Sequence, residues 1–314
     1  MKKTDAMTWK AAFLASPGPR SVKEALLLSL KGVCMGAADT IPGVSGGTIA
    51  LITGIYEDLL SAIKSADMKM IRRLLRLDLK GALAEVHTRF ILSLFFGIGI
   101  AVFSIARLMH YLLVNHPVTT WSLFLGLIAA SILVVGRQVK GWTPGIGLSF
   151  LLGAVAAYVI VNLMPATTPE DLWFVFFAGV CAICAMILPG ISGAFILVIL
   201  GKYEFIMATV KDPFILTNAE IIVVFIAGCG VGLAGFSRFL RYLLQKHHSL
   251  TMALLTGLML GSMRKVWPWK ETMASNQTIN ILPATLDGDL VFAVFLILAG
   301  FAAVVCLERL SRVK

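Results

Sequence analysis

A chain of 314 residues that is 58% hydrophobic and 14% charged, with a mean hydropathy of +0.89, is too apolar for a soluble domain of ordinary composition and excludes a soluble enzyme or binding module. The net charge of +10 would suit a nucleic-acid partner. The basic residues, however, fall between apolar runs and at their ends, where cytoplasmic loops of membrane proteins concentrate Lys and Arg, so no nucleic acid is expected and the charge reads as topology.

Residues 1–20 carry Lys2, Lys3, Lys10 and Arg20 around a short apolar patch, Trp9 to Leu14, which predicts a cytoplasmic tail at the membrane surface. No cleavable signal peptide is visible in it. A helix starts at Ser21, yet only ten residues separate Lys31 from Pro42. That is too short a run to span about 30 Å of hydrocarbon. The segment PGVSGG, Pro42 to Gly47, then breaks the helix where a bilayer demands continuous backbone bonding. Residues 21–63 therefore read as a re-entrant hairpin with its tip at PGVSGG, two complete crossings being the alternative.

Residues 64–89 hold Lys64, Lys69, Arg72, Arg73, Arg76, Lys80 and Arg89 and are expected to form a basic cytoplasmic loop. Apolar runs at 90–114, 118–136 and 144–164 follow as three crossings. The second half uses the same parts: a hairpin over 172–210, then crossings at 221–244, 250–263 and 290–307, with Arg309, Arg312 and Lys314 at a cytoplasmic end. Residues 21–164 and 171–308 are thus two repeats. At a shift of 147, Gly32, Cys34, Pro42, Gly43, Ser45, Gly46, Gly54, Tyr56 and Glu57 meet identical residues, among them Pro189, Gly190, Ser192, Gly193 and Glu204. At a shift of 131, Gly97, Arg107, Tyr111, His116, Gly126 and Ser131 meet Gly228, Arg238, Tyr242, His247, Gly257 and Ser262. One hairpin plus three crossings is an odd number, so the halves are expected upside down relative to each other. The fold class is an all-α polytopic membrane protein with an inverted-topology repeat, as secondary transporters have. Against this topology, Arg264, Lys265 and Lys270 fall outside.

Each PG(V/I)SG tip restarts a helix, leaving backbone N–H groups free to bind an anion. The expected phosphate-binding residues are Ser45, Gly46, Gly47, Thr48, Ser192 and Gly193, with Pro42, Gly43, Pro189 and Gly190 shaping the tips. The competing reading is that the glycines only permit close packing. Arg107 and Arg238 lie inside apolar helices, where a charge is costly, and guanidinium suits phosphate; snorkelling to the headgroups is the alternative. Asp39 suits coupling to a proton or sodium ion, or capping of the turn; Glu57 and Glu204 suit gating or simply end their helices. The five cysteines sit in apolar segments as small core residues, and the five histidines show no ligand spacing, so neither a metal nor a cofactor is expected.

GAADTIPGVSGGTIALITGIYEDLL and LPGISGAFILVILGKYE closely resemble the PopT-type polyprenyl-phosphate transporter family, once catalogued only as a domain of unknown function, over nearly the whole chain. The resemblance implies transport of undecaprenyl phosphate from the outer to the inner leaflet of the bacterial cytoplasmic membrane, with the termini cytoplasmic and no catalysis. It leaves the oligomeric state open. The nearest rival is an undecaprenyl-pyrophosphate phosphatase of the BacA type, whose PGxSRSG motif has an arginine where Gly46 or Gly193 stands; a carrier of a soluble anion is the third reading. A lateral opening to lipid would separate lipid from soluble substrate.

Overall fold

A computed structural model describes residues 7–39, 45–65, 68–163, 167–272, 278–283 and 287–312. Pro42 and Gly43 lie outside the described residues. The first half runs through α1 (Trp9–Ala15), α2 (Val22–Asp39), α3 (Gly46–Ile52), α4 (Tyr56–Ser65), α5 (Met68–Leu75), α6 (Leu79–Glu85), α7 (Thr88–Ile100), a π-helical turn (Ala101–Ile105), α8 (Ala106–Asn115), α9 (Pro117–Gly136) and α10 (Pro144–Val161). The second comprises α11 (Leu172–Ile187), α12 (Gly193–Ile199), α13 (Tyr203–Lys211), α14 (Leu216–Lys246), α15 (His248–Ser262), a 3₁₀ turn (Met263–Val266), the two-stranded ribbon β1 (Lys270–Thr272) and β2 (Thr278–Asn280), and α16 (Gly288–Arg312). Pro117 and Pro144 open α9 and α10 at their first turns, where a missing N–H costs nothing.

Among the described residues five helices are long and apolar enough to cross a membrane, Thr88–Ile105, Pro117–Gly136, Pro144–Val161, Leu216–Lys246 and Gly288–Cys306, or six if the bent pair α12 and α13 is one span. Phe95, Phe103, Leu148, Leu152, Val223, Val291 and Phe295 cover their outer faces and are exposed, as side chains meeting lipid must be. Apart from one short ribbon the described residues are helices and their connections, those of an all-α polytopic membrane protein. α15 has 15 residues and is the most enclosed of the long helices, with Met252, Leu255 and Met259 fully buried.

Residues 21–63 and 172–210, expected as hairpins, each form three helices, one more than the sequence suggests. After α3, Gly54 adopts φ 72°, and the Ile55 N–H donates to the Ala50 carbonyl. After α12, Gly201 adopts φ 61° and the Lys202 N–H donates to the Leu197 carbonyl. Both are left-handed glycine stops of the Schellman kind, which only a residue without Cβ forms cheaply. They turn the chain sharply, and α12 and α13 meet at 109°.

The basic stretch expected as a loop is instead partly helical. α5 and α6 are closed on each other by Arg73, which contacts Asp78 at 3.3 Å and Glu85 at 2.7 Å. The N-terminal segment is docked rather than lying free: α1 packs on α6, the Ser16 hydroxyl donates to the Val86 carbonyl at 2.7 Å, and Arg89 donates to the Ser16 and Pro19 carbonyls.

Helices pair through small-residue seams, the packing that membranes favour where apolar burial drives nothing. α2 packs on α7 and α11 on α14; α9 packs on α16 and α15 on α10. In the last two pairs each half contributes one partner. A methyl added at Gly126 would strike the Ile297 carbonyl, and one at Gly257 the Phe150 carbonyl. These two contacts correspond under the shifts of 131 and 147. Gly153 against Leu254 and Gly300 against Leu123 correspond in the same way.

Gly126→Val and Gly257→Val are expected to destabilise the protein by about 1–3 kcal/mol each through overpacking. Gly145→Val, where nothing lies within 4 Å, is the control and should be neutral. Thermal unfolding in detergent micelles, followed by tryptophan fluorescence, reads the difference.

Candidate functional site

The two tips meet. Ser45 is the N-cap of α3, in extended conformation at φ −122° and ψ 134°, and its hydroxyl accepts from the Gly47 N–H at 3.1 Å. The same hydroxyl reaches across to the second tip, donating toward the Leu188 carbonyl at 3.2 Å and the Met186 carbonyl at 3.4 Å. Thr48 accepts from the Gly190 N–H at 3.0 Å. Tyr56, at the start of α4, donates to the Ile187 carbonyl at 3.0 Å. The unwound stretch after α11 thus has its carbonyls and an N–H satisfied by side chains of the other half. Ser45, Thr48 and Tyr56 are all buried at 1–3% exposure, so these bonds are shielded from competition.

Asp39 ends α2 and accepts from the Gly46 N–H at 2.6 Å. A carboxylate therefore occupies the first tip's helix start, where a charge-assisted bond is strongest. Gly46 leaves room for it, since a Cβ there would lie 2.5 Å from the Asp39 Oδ2; at Gly47 a Cβ would lie 2.7 Å from the Ile187 carbonyl. The second tip differs. Met186 stands where Asp39 does, and Ser192, extended and nearly buried, caps no N–H of α12. Gly190 adopts φ 88°, and Gly193 lies against the Ala182 carbonyl. Pro189 is fully buried beside them.

The arginines are not drawn to the tips. Arg238 is half-buried and donates to the Ala234 carbonyl one turn earlier on α14, at 2.7 Å, while Arg107 is exposed on α8. Glu57 and Glu204 are both exposed. Glu57 lines a recess of about 240 Å³ with Tyr56, Asp58, Gln138, Leu244 and Met252. A second recess of about 330 Å³ lies between α10 and α15, lined by Ala154, Val155, Leu260 and Gly261, and ends at Arg264, which stacks on Tyr158.

The family described as undecaprenyl phosphate translocase-like matches residues 35–281, which include both tips. The chain belongs to this family. Two relatives are named polyprenyl-phosphate transporters. One, from Vibrio cholerae serotype O1, is 38% identical over 299 residues, 90% of this chain and 96% of its own length. The other, from Staphylococcus aureus, is 32% identical over 255 residues, 76% of this chain and 85% of its own length. No solved structure matches the chain.

Within this translocase-like chain, sequence reasoning passed over Tyr56 and the loop after α15. Tyr56 recurs as Tyr203, which is exposed, so the repeat alone marked the pair without marking which member is buried. Lys265 and Lys270 read as outer-loop charges, yet both are partly buried: Lys265 lies over the Phe195 ring and Lys270 over the Trp121 ring.

Thr48→Val leaves the buried Gly190 N–H without an acceptor and is expected to cost about 1–3 kcal/mol. Ser192→Ala removes no capping bond and should change stability by less than about 0.5 kcal/mol. Paired thermal melts of the two variants check this.

Proposed function

We propose that this chain transports polyprenyl phosphate, undecaprenyl phosphate in the bacterial cytoplasmic membrane, from the outer to the inner leaflet, with both termini cytoplasmic. The observation that carries the reading is the contact between two broken-helix tips, bonded to each other by Ser45 and Thr48, in a chain whose relatives are named polyprenyl-phosphate transporters. The recess ended by Arg264 is lined mainly by apolar residues of α10 and α15, a lining that suits an isoprenoid chain better than a soluble anion.

In this proposal the halves 21–164 and 171–308 are inverted repeats that rock about the α9–α16 and α15–α10 seams. The tips interlock in the closed state. The headgroup takes the place of the tip-to-tip bonds, meeting Ser45, Gly46, Gly47 and Thr48 from one side and Ser192 and Gly193 from the other, with Pro42, Gly43, Pro189 and Gly190 holding the bends. Asp39 yields the Gly46 N–H as phosphate arrives and can then take a proton or sodium ion, while Glu57 and Glu204 act at the mouths as gates. Arg107 and Arg238 engage only when the helices move, since here neither faces a tip. Cutting a phosphoryl bond would need a charge to stabilise the transferring group, and glycine occupies that motif position in both halves.

Leaflet-resolved transport of undecaprenyl phosphate in proteoliposomes tests the reading, with and without a proton or sodium gradient. Ser45→Ala, Arg107→Ala and Arg238→Ala are expected to slow transport, by about tenfold or more where a charged bond to phosphate is lost. Wild-type rates in all three variants would remove these residues from the site; phosphate release from the pyrophosphate lipid would identify an enzyme instead.

A further inference from the structure

After α15 the chain turns back into the protein instead of staying at its surface. Val266 is fully buried and packs with Ala38, Leu125 and Ile128, beside the end of α2. This places the Lys265 ammonium 4.5 Å from the centre of the Phe195 ring, in the first turn of α12, and the Lys270 ammonium 4.0 Å from that of Trp121 on α9. Lys270 also donates to the Lys265 carbonyl at 2.6 Å. Among the described residues no carboxylate pairs with either amine. Aromatic faces and one carbonyl offset part of the cost of desolvating these cations, and an anion would offset more. Ser192, three residues before Phe195, adds a nearly buried hydroxyl that makes no capping bond.

The two halves differ here in a directed way. Three residues beyond the matched pair Ser131 and Ser262, the shift of 131 sets Val134 opposite Lys265. Val134 is buried against Ile52 and Ala130, so that end of the pseudo-symmetric core is apolar and filled. The end bearing Lys265 is cationic and, on the transport topology, faces the outer leaflet.

We propose that Lys265 and Lys270 form an anion site for a phosphate monoester, the outer-leaflet seat of the headgroup before it reaches the tips. This rests on the transport reading above and adds to it the residues that first take the phosphate. Burial pushes both lysines below their usual pKa, Lys270 to about 8 with the Lys265 charge contributing. Around Lys270 the titratable and charged groups are Lys265, Arg264 and Glu271 on its own segment, His116, Asp287 and Asp289, which line a recess with Trp269, and Tyr158 on α10, which meets Arg264; the facing residues of α9 and α12, Trp121 and Phe195, do not titrate. The ammonium form predominates below pH about 8 and is lost above it. Phosphate affinity is therefore expected to fall as pH rises through that value.

The test is binding of radiolabelled undecaprenyl phosphate to the full chain in micelles, with inorganic phosphate as competitor, beside proteoliposome transport. Lys265→Gln and Lys270→Gln are each expected to weaken binding about tenfold or more, as loss of a charge-assisted bond does. The double Lys→Arg variant should retain binding and move its pH midpoint upward. Competition by inorganic phosphate assigns the pair to the headgroup. Saturable phosphate binding that lipid does not displace would assign it to a soluble anion and overturn the lipid source. Wild-type binding, transport and pH profile in the Lys265→Gln/Lys270→Gln double variant would overturn the proposal while leaving transport intact. If the wild type transports no lipid phosphate, the transport reading fails by itself, and phosphate binding lost in the double variant still supports the anion site.

Discussion

The structure depends on one constraint: a peptide group in hydrocarbon has no water to bond with. An unbroken helix meets that condition alone, and two helices here are broken at the same place in each half. The exposed groups of the second tip are satisfied by the first half, and those of the first tip by side chains of its own half. Ser45, Thr48 and Tyr56 hold the strand after α11, and Asp39 holds the Gly46 N–H. The second tip is thus incomplete without the first, and their relative position is set by these hydrogen bonds together with the apolar cluster that joins Ala50 and Leu51 to Ile187 and Ile191. An anion can replace the acceptors of the Gly190 N–H and of the Ser45 and Tyr56 hydroxyls, whereas the carbonyls released at Met186, Ile187 and Leu188 then need new donors.

The second constraint is close approach. Where lipid is as apolar as the helix, association relies on fit, and glycine supplies it. The seams at Gly126, Gly153, Gly257 and Gly300 join α9 to α16 and α10 to α15, each pair drawn from both halves. Helices fixed this way are expected to move as units, which suits the hinge-like Schellman stops after α3 and α12.

Much of the fold was legible in the sequence because its cues are local. Length and apolarity mark helices, proline and glycine mark breaks, and repetition at 147 and 131 pairs the parts. The chain's place in the family was legible for the same reason, since the PGVSGG segment is contiguous. What escaped was set by tertiary contact. Gly54 and Gly201 repeat, but that each begins a third hairpin helix depends on a left-handed turn that many glycines do not make. Arg73 folds the basic segment through Asp78 and Glu85, an ion-pair network invisible to a count of charges. Lys265 and Lys270 looked like surface residues because the turn that buries Val266 has no sequence signature. Asp39 was readable as either an ion site or a cap, but that its carboxylate meets the Gly46 N–H depends on how the tip folds back on α2.

The exchange of α9 and α15 between halves has a bearing on biogenesis. α16 follows α9 only after α10 to α15 have been made, and until it does the Gly126 seam on α9 lacks the backbone it was shaped to receive. Residues 171–312 alone leave the Gly257 seam on α15 uncovered in the same way, because its partner is α10. Folding of the two halves is therefore expected to be coupled, since each seam closes only when helices from both are present.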